Sequence, residues 1–358
     1  MKYILAIDSF KGCLTSAEAE AAVYEVLRQR CAGNDVVSLP MSDGGDGMLD
    51  AFVPATQARV ETVIVHDAMM RPVEARYAVT DDNAAIIEVA QACGLTQIEP
   101  YLRNPLKATS YGVGELLAHA IRCGCHQFIV GLGGTACSDA GIGMLKGLVA
   151  RLAPHDNIDM VRQKYLADCE FVLACDVRNP LYGPQGAAHV FAPQKGATPA
   201  MVTVLDKRAQ QFAKYASCHC GYDCSCCQGA GAAGGLGYAF LQFMNSRFAS
   251  GADLLLEKLN FDALLTPDTV VITGEGSADR QTLMGKLPER ILVRAKAHGA
   301  TVWLLAGSVK DTDELTKAGF DRVKAVTPAG MELADALQKN TAQENLCKAV
   351  EDLLQAGK

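Results

Sequence analysis

The sequence predicts an α/β fold: a Rossmann-like or flavodoxin-like parallel sheet domain, discontinuous in the chain, with a second α/β domain inserted into it. Three observations carry this reading. Short, wholly apolar, β-branched runs near both ends alternate with helical stretches, as strands buried on both faces do. Between them, residues 60–65 and 73–79 alternate apolar with polar, which marks an antiparallel pair foreign to a purely doubly wound sheet. The 358 residues, 49% hydrophobic and 20% charged, suffice for two cores.

Taken in order, residues 4–7 read as a buried strand ending at Asp8-Ser9-Phe10-Lys11-Gly12. Thr15-Ser16-Ala17-Glu18 supplies a capping box for the next helix, whose apolar stripe is Ala19, Val23, Val26 and Leu27. Val36, Val37 and Leu39 form a second strand that runs into Pro40-Met41-Ser42-Asp43-Gly44-Gly45-Asp46-Gly47, completing a βαβ unit. After the antiparallel pair, residues 109–124 place Val113, Leu116, Leu117, Ala120 and Ile121 on one helical face, and strands are expected at 128–130 and 171–174. Parallel βα order returns with strands at 270–272, 302–305 and 323–326. Two N-terminal and three C-terminal strands make a five-stranded sheet, so the split domain is residues 1–56 and 265–358 and the insertion is residues 57–264. A cleft between two such domains is the expected place for a ligand.

The net charge of -7 and pI near 5.5 argue against a general nucleic-acid or acidic-membrane binder, which carries a basic stripe. A small anion can still be held by local lysines and backbone amides. The apolar run after Met1-Lys2-Tyr3 is too short for a signal peptide or a membrane span, so a cytoplasmic protein is expected, with a homo-oligomer allowed. Of the 14 cysteines, nine fall in apparent core segments, where a free thiol acts as a small hydrophobe. The rest crowd into Cys218-His219-Cys220-Gly221-Tyr222-Asp223-Cys224-Ser225-Cys226-Cys227, whose thiolate-rich composition suits a soft metal but whose spacing matches no zinc pattern of separated CxxC pairs, which makes metal binding the minority reading.

Acidic, glycine-rich and basic residues follow several strands, where open α/β sheets bind ligands. Residues 270–286 contain Glu275, Asp279 and Lys286 just past an apolar run; an ordinary solvated turn would look the same locally. Gly131-Leu132-Gly133-Gly134-Thr135 enters a helix near Asp139 and suits backbone amides approaching a phosphate, but it lacks the third glycine of a dinucleotide fingerprint, and local chemistry alone slightly favours a tight strand-to-helix turn with Asp139 as a macrodipole partner. Asp43 and Asp46, three apart among glycines, suit a hydrated Mg²⁺ or, equally well, a glycine turn whose aspartates satisfy nearby amides. Asp176 and Arg178 follow the strand at 171–174, and Lys195 lies in Pro193-Gln194-Lys195-Gly196-Ala197. The five glycines of residues 229–237 read best as close backbone packing. No G-x-S-x-G elbow or H-E-x-x-H helix is present, and His66, His119 and His126 read as surface or packing residues.

Together Asp8-Ser9-Phe10-Lys11-Gly12, Ser42-Asp43-Gly44-Gly45-Asp46-Gly47, Gly131-Leu132-Gly133-Gly134-Thr135-Ala136, Cys175-Asp176-Val177-Arg178-Asn179-Pro180-Leu181, Pro193-Gln194-Lys195-Gly196-Ala197, the glycine run 229–237, Thr273-Gly274-Glu275-Gly276 and Asp279-Arg280-Gln281-Thr282-Leu283-Met284-Gly285-Lys286 resemble the bacterial type I glycerate kinase family, in the family's order over almost the whole chain. The resemblance implies ATP- and Mg²⁺-dependent phosphorylation of D-glycerate at the 2-hydroxyl, giving 2-phosphoglycerate. The chain departs from the family at Ser138-Asp139-Ala140-Gly141, where Asn-Asp-Gly-Gly is usual, at Ala192, where glycine is common, and in the cysteine cluster.

With that resemblance, Gly133, Gly134 and Asp139 are expected near the nucleotide phosphates, Lys286 at the transferred charge, and Asp43 and Asp46 at magnesium. Lys11 and Arg178 are expected to bind the glycerate carboxylate, and Asp176 or Asp279 to accept the hydroxyl proton. The alternatives are a kinase for another small hydroxy acid and a non-catalytic nucleotide-binding regulator. The regulator would have kept the glycine loops while losing the acidic and lysine groups, and both sets are present here.

Overall fold

The computed structural model describes residues 1–355 except Lys11, Ala32, Asp43 and Asp46. The chain forms two compact units, Met1–Asp43 with Ala252–Lys358, and Gly44–Gly251.

In the first unit, β1 (Lys2–Ile7), β2 (Asp35–Ser38), β9 (Thr269–Ala278), β10 (Thr301–Val309) and β11 (Arg322–Ala325) form one sheet, ordered β11-β10-β9-β1-β2. Every neighbouring pair is parallel. Numbered within the unit the order is 2-1-3-4-5, the flavodoxin arrangement, one of the two orders that the five-strand reading allowed. The helix Ser16–Arg30 starts at the expected capping box: Glu18 N–H donates to Thr15 Oγ1 at 3.2 Å, and Thr15 N–H to Glu18 Oε2 at 3.0 Å. Its stripe of Ala19, Val23, Val26 and Leu27 is buried against Leu5, Ile7, Ile272 and Leu305. Glu20, on the same helix, is also buried. Its carboxyl accepts from Ile7 N–H at 3.1 Å and from the Ser38 hydroxyl, yet burial pushes it up to about 8.

One expectation is corrected here. The segment Thr273-Gly274-Glu275-Gly276-Ser277 is not a turn past a short strand; β9 continues through it to Ala278, paired with β10 as far as Val309. Glycines permit this close ladder: a Cβ on Gly274 would stand 2.5 Å from the Leu305 carbonyl oxygen, and one on Gly307 2.6 Å from that of Gly276.

In the second unit, β3 (Arg59–His66), β4 (Pro72–Val79), β5 (Ala84–Glu88), β6 (Gln127–Gly131), β7 (Glu170–Ala174) and β8 (Ser246–Ala249) lie in sequence order in one sheet. The β3–β4 and β4–β5 pairs are antiparallel and the rest parallel. The apolar face of the helix Tyr111–Arg122 is buried with Phe128, Val130 and Phe171. The unit boundaries precede residues 57 and 264 because the helix Met48–Thr56 packs on β4 and β5, while Asp253 pairs with Arg290 and Arg294 of the first unit.

Outside the cysteine cluster, Cys93, Cys125, Cys137 and Cys169 are buried, but Cys123 is exposed, so not all nine serve the core. Among the described residues, no helix is long and apolar enough to cross a membrane.

Candidate active site

The carboxyl ends of β5, β6 and β7 gather the second unit's polar and glycine-rich segments. Gly44 lies against β7, where an added Cβ would meet the Ala174 carbonyl oxygen at 2.5 Å. Gly133 N–H donates to Gly44 O at 3.2 Å, and a Cβ on Gly133 would stand 2.3 Å from Gly45 Cα. Absence of side chains therefore lets the two glycine loops pack backbone to backbone. At the end of β5, the buried Glu88 accepts from Gly47 N–H at 3.3 Å and Leu49 N–H at 3.0 Å, so its charge sits at the amino terminus of the helix Met48–Thr56. This glutamate went unread in the sequence because its strand is so short.

The loop after β6 is pinned from three directions. Leu95 N–H donates to Gly134 O at 2.7 Å and Ala136 N–H to Cys93 O at 2.8 Å. Lys195, buried to 3% exposure, donates from Nζ to Thr135 Oγ1 at 3.0 Å and to Cys137 O at 2.7 Å. Desolvation lowers the pKa of this ammonium. Gly134 has φ +70°, a left-handed conformation that a branched side chain resists.

Asp139 is saturated by local donors. Its Oδ1 accepts from Ser110 Oγ (3.0 Å) and Gly141 N–H (3.1 Å); its Oδ2 accepts from Thr109 Oγ1 (3.3 Å), Ser110 N–H (2.9 Å) and Gly143 N–H (3.1 Å). The carboxylate thus ties the amino termini of the helices Tyr111–Arg122 and Ile142–Leu152 together. Asp176 and Arg178 follow β7 and are exposed.

A second constellation belongs to the first unit. Glu275, on β9 and 8% exposed, accepts from Thr282 Oγ1 at 2.6 Å and from Lys286 Nζ at 3.0 Å. The Lys286 side chain stays 43% exposed, so a buried carboxylate aims a partly solvated ammonium. Asp279 caps the short turn Arg280–Leu283: its Oδ1 accepts from Gln281 N–H at 2.8 Å, while its own N–H donates to Thr282 Oγ1 at 3.0 Å. The Thr282 hydroxyl thus joins the Glu275 carboxylate to the backbone N–H of Asp279. The structure thus groups Asp279 with Lys286, and Gly133, Gly134 and Asp139 around one loop; Lys11, Asp43 and Asp46 lie outside the described residues.

The donors near the strand ends are carboxylate and carbonyl oxygens, which suit Mg²⁺. Among the described residues no three His, Cys, Asp or Glu side chains form a metal cage; an ion held by one or two carboxylates and by phosphate oxygens needs none. A wide depression of about 610 Å³ lined by Asp159, Arg162, Tyr222 and Asn245 touches residues just before β7 and β8, at the opposite end of the strands, and holds none of the expected site residues.

The fold and these constellations define an α/β protein with glycine-rich and charged segments at the carboxyl ends of its parallel strands. The chain belongs to the glycerate kinase family, whose model matches residues 3–357. It is 36% identical to the glycerate kinase of Bacillus subtilis (strain 168), over 94% of this chain and 93% of that protein. It is 34% identical to the glycerate 2-kinase of Escherichia coli (strain K12), over 98% and 96%. A crystal structure provisionally named glycerate kinase 2, from Salmonella typhimurium LT2, superposes with a TM-score of 0.78 at 35% identity, covering 100% of this chain and 99% of that one.

Proposed function

We propose that this chain transfers the γ-phosphoryl group of ATP to the 2-hydroxyl of D-glycerate, giving 2-phosphoglycerate and ADP. The observation that carries the reading is the Glu275–Lys286 pair: within a chain matching the family end to end, an oriented ammonium remains available to neutralise transferred charge. Phosphoryl transfer asks the protein mainly for positioning and charge neutralisation. Lys286 serves the second need. Asp176, exposed past β7, and Asp279, on the turn before Lys286, are the two candidate bases for the hydroxyl proton.

Gly133 and Gly134 are assigned to the nucleotide phosphates, with Lys195 and Asp139 holding their loop in shape. Arg178 and Lys11 are assigned to the glycerate carboxylate. Asp43 and Asp46 are assigned to Mg²⁺, which when bound supplies charge neutralisation to the phosphates. The protein is placed in the cytoplasm. A coupled assay of ADP release across small hydroxy acids, with the phosphate position read by ³¹P NMR, tests the reading. Turnover selective for D-glycerate with phosphate on the 2-hydroxyl supports it; turnover confined to another hydroxy acid, or none, overturns it.

A further inference from the structure

At the carboxyl end of the first unit's sheet, Phe10, Leu14, Val326, Met331, Leu337 and Leu346 help enclose a cavity of about 270 Å³, small beside the roughly 300–1,000 Å³ of typical ligand pockets. Phe10 follows β1, and Gly276 and Gly307 bring β9 and β10 to its wall. The strand order reverses between β1 and β9. Such a switch point is where open α/β sheets receive ligands. Ser308, Thr327 and Asn345 supply the polar groups, and no charged side chain among the described residues lines the cavity.

That lining separates the two substrates of a kinase. Glycerate is an anion with no apolar face, and desolvating it here without a cation would be costly. A purine base is uncharged, flat and apolar on its faces, with hydrogen-bonding groups only at its edges. The side chain of Asn345 donates to Met331 Sδ at 3.4 Å, a weak acceptor that a better partner can displace. A carboxamide of this kind pairs with the N6/N7 edge of adenine through two hydrogen bonds.

We propose that this cavity seats the adenine ring of the nucleotide, with Asn345 reading its N6/N7 edge; the inference rests on the ATP-dependent reading above. The test titrates the full-length protein with adenosine, which has no phosphate, and measures KM for ATP and GTP in the wild type, Ala336→Phe and Asn345→Ala, with thermal melts alongside. Ala336 lines the cavity and is buried, so phenylalanine fills it; Leu337→Trp, at a more exposed lining position, repeats the test if Ala336→Phe does not fold. Adenosine should bind the wild type in competition with ATP. The filled variant should lose that binding and raise KM for ATP at least tenfold, leaving KM for glycerate unchanged. Asn345→Ala should lose roughly ten- to hundredfold of the preference for ATP over GTP. Folded variants with unchanged adenosine binding, KM for ATP and base preference overturn the proposal. Adenosine binding that the filled variant loses, in a protein that phosphorylates no hydroxy acid, supports the cavity assignment while overturning the kinase reading.

Discussion

Replacing Asp139 by asparagine tests whether this carboxylate acts on the nucleotide or on the loop that surrounds it. Its two oxygens accept from three backbone N–H groups, those of Ser110, Gly141 and Gly143, and from two hydroxyls. An asparagine nitrogen cannot accept. Placed at the Oδ1 position it orphans Gly141 N–H; placed at Oδ2 it orphans those of Ser110 and Gly143. The first arrangement is cheaper. One orphaned buried donor costs about 1–3 kcal/mol, and the remaining bonds lose their charge assistance, so the expected loss is about 2–4 kcal/mol. For a unit the size of Gly44–Gly251 this lowers Tm by about 4–16 °C. Thermal melts paired with ATP titrations in an ADP-release assay read both quantities. The expected variant is less stable, with KM for ATP changed far less than its stability predicts for a direct phosphate ligand. An unchanged Tm with a large rise in KM for ATP would refute the reasoning and place the carboxylate on the nucleotide itself.

Asp279→Asn should fold normally, since asparagine is as good a cap for the Arg280–Leu283 turn. Its turnover should fall by roughly 10²- to 10⁴-fold if Asp279 is the base, whereas near-normal turnover at saturating substrates moves the role to Asp176. Changing Cys218, Cys220, Cys224, Cys226 and Cys227 together to serine should leave turnover and metal content unaltered; stoichiometric zinc in the wild type, lost along with folding in the variant, contradicts this. Glu20 is held neutral by burial, its pKa raised from 4.5 to about 8. The unfolded chain therefore releases this proton first, and the contribution to stability falls by about 1.4 kcal/mol per pH unit between about pH 4.5 and 8, levelling off above. Glu20→Gln should flatten that slope in urea melts of the protein across this window, and a slope equal to that of the wild type would exclude Glu20 as its source.

The strands at residues 4–7, 270–272 and 302–305 were legible because burial on both faces leaves an unmistakable apolar run. β5 and β8 were not, since Ala-Ala-Ile-Ile-Glu and Ser-Arg-Phe-Ala are short and carry too little β-branched character. The end of β9 was misread because Gly274 and Gly276 look like a turn when their neighbours on β10 are unknown. The position of a charged residue was legible where it comes just past an apolar strand, as at Asp176 after β7. Its partners were illegible where a contact spans the fold. Nothing local to Pro193-Gln194-Lys195 announces a hydrogen bond to Thr135, and nothing near Asp139 shows that its oxygens are already taken by Thr109, Ser110 and the following helix.

The placement of β1 has a consequence for synthesis. It lies inside the first sheet, and one of its edges is completed by β9, with Lys2 opposite Thr269. Ribosomes emit roughly 5–20 residues per second, so that edge waits roughly 15–50 s for its partner. Meanwhile the inserted unit, whose strands all pair with sequence neighbours, can complete its own sheet. Newly made chains should therefore carry a folded second unit beside an unfinished first one whose apolar strand is open to other chains, and truncated products ending before β9 should aggregate through residues 2–7.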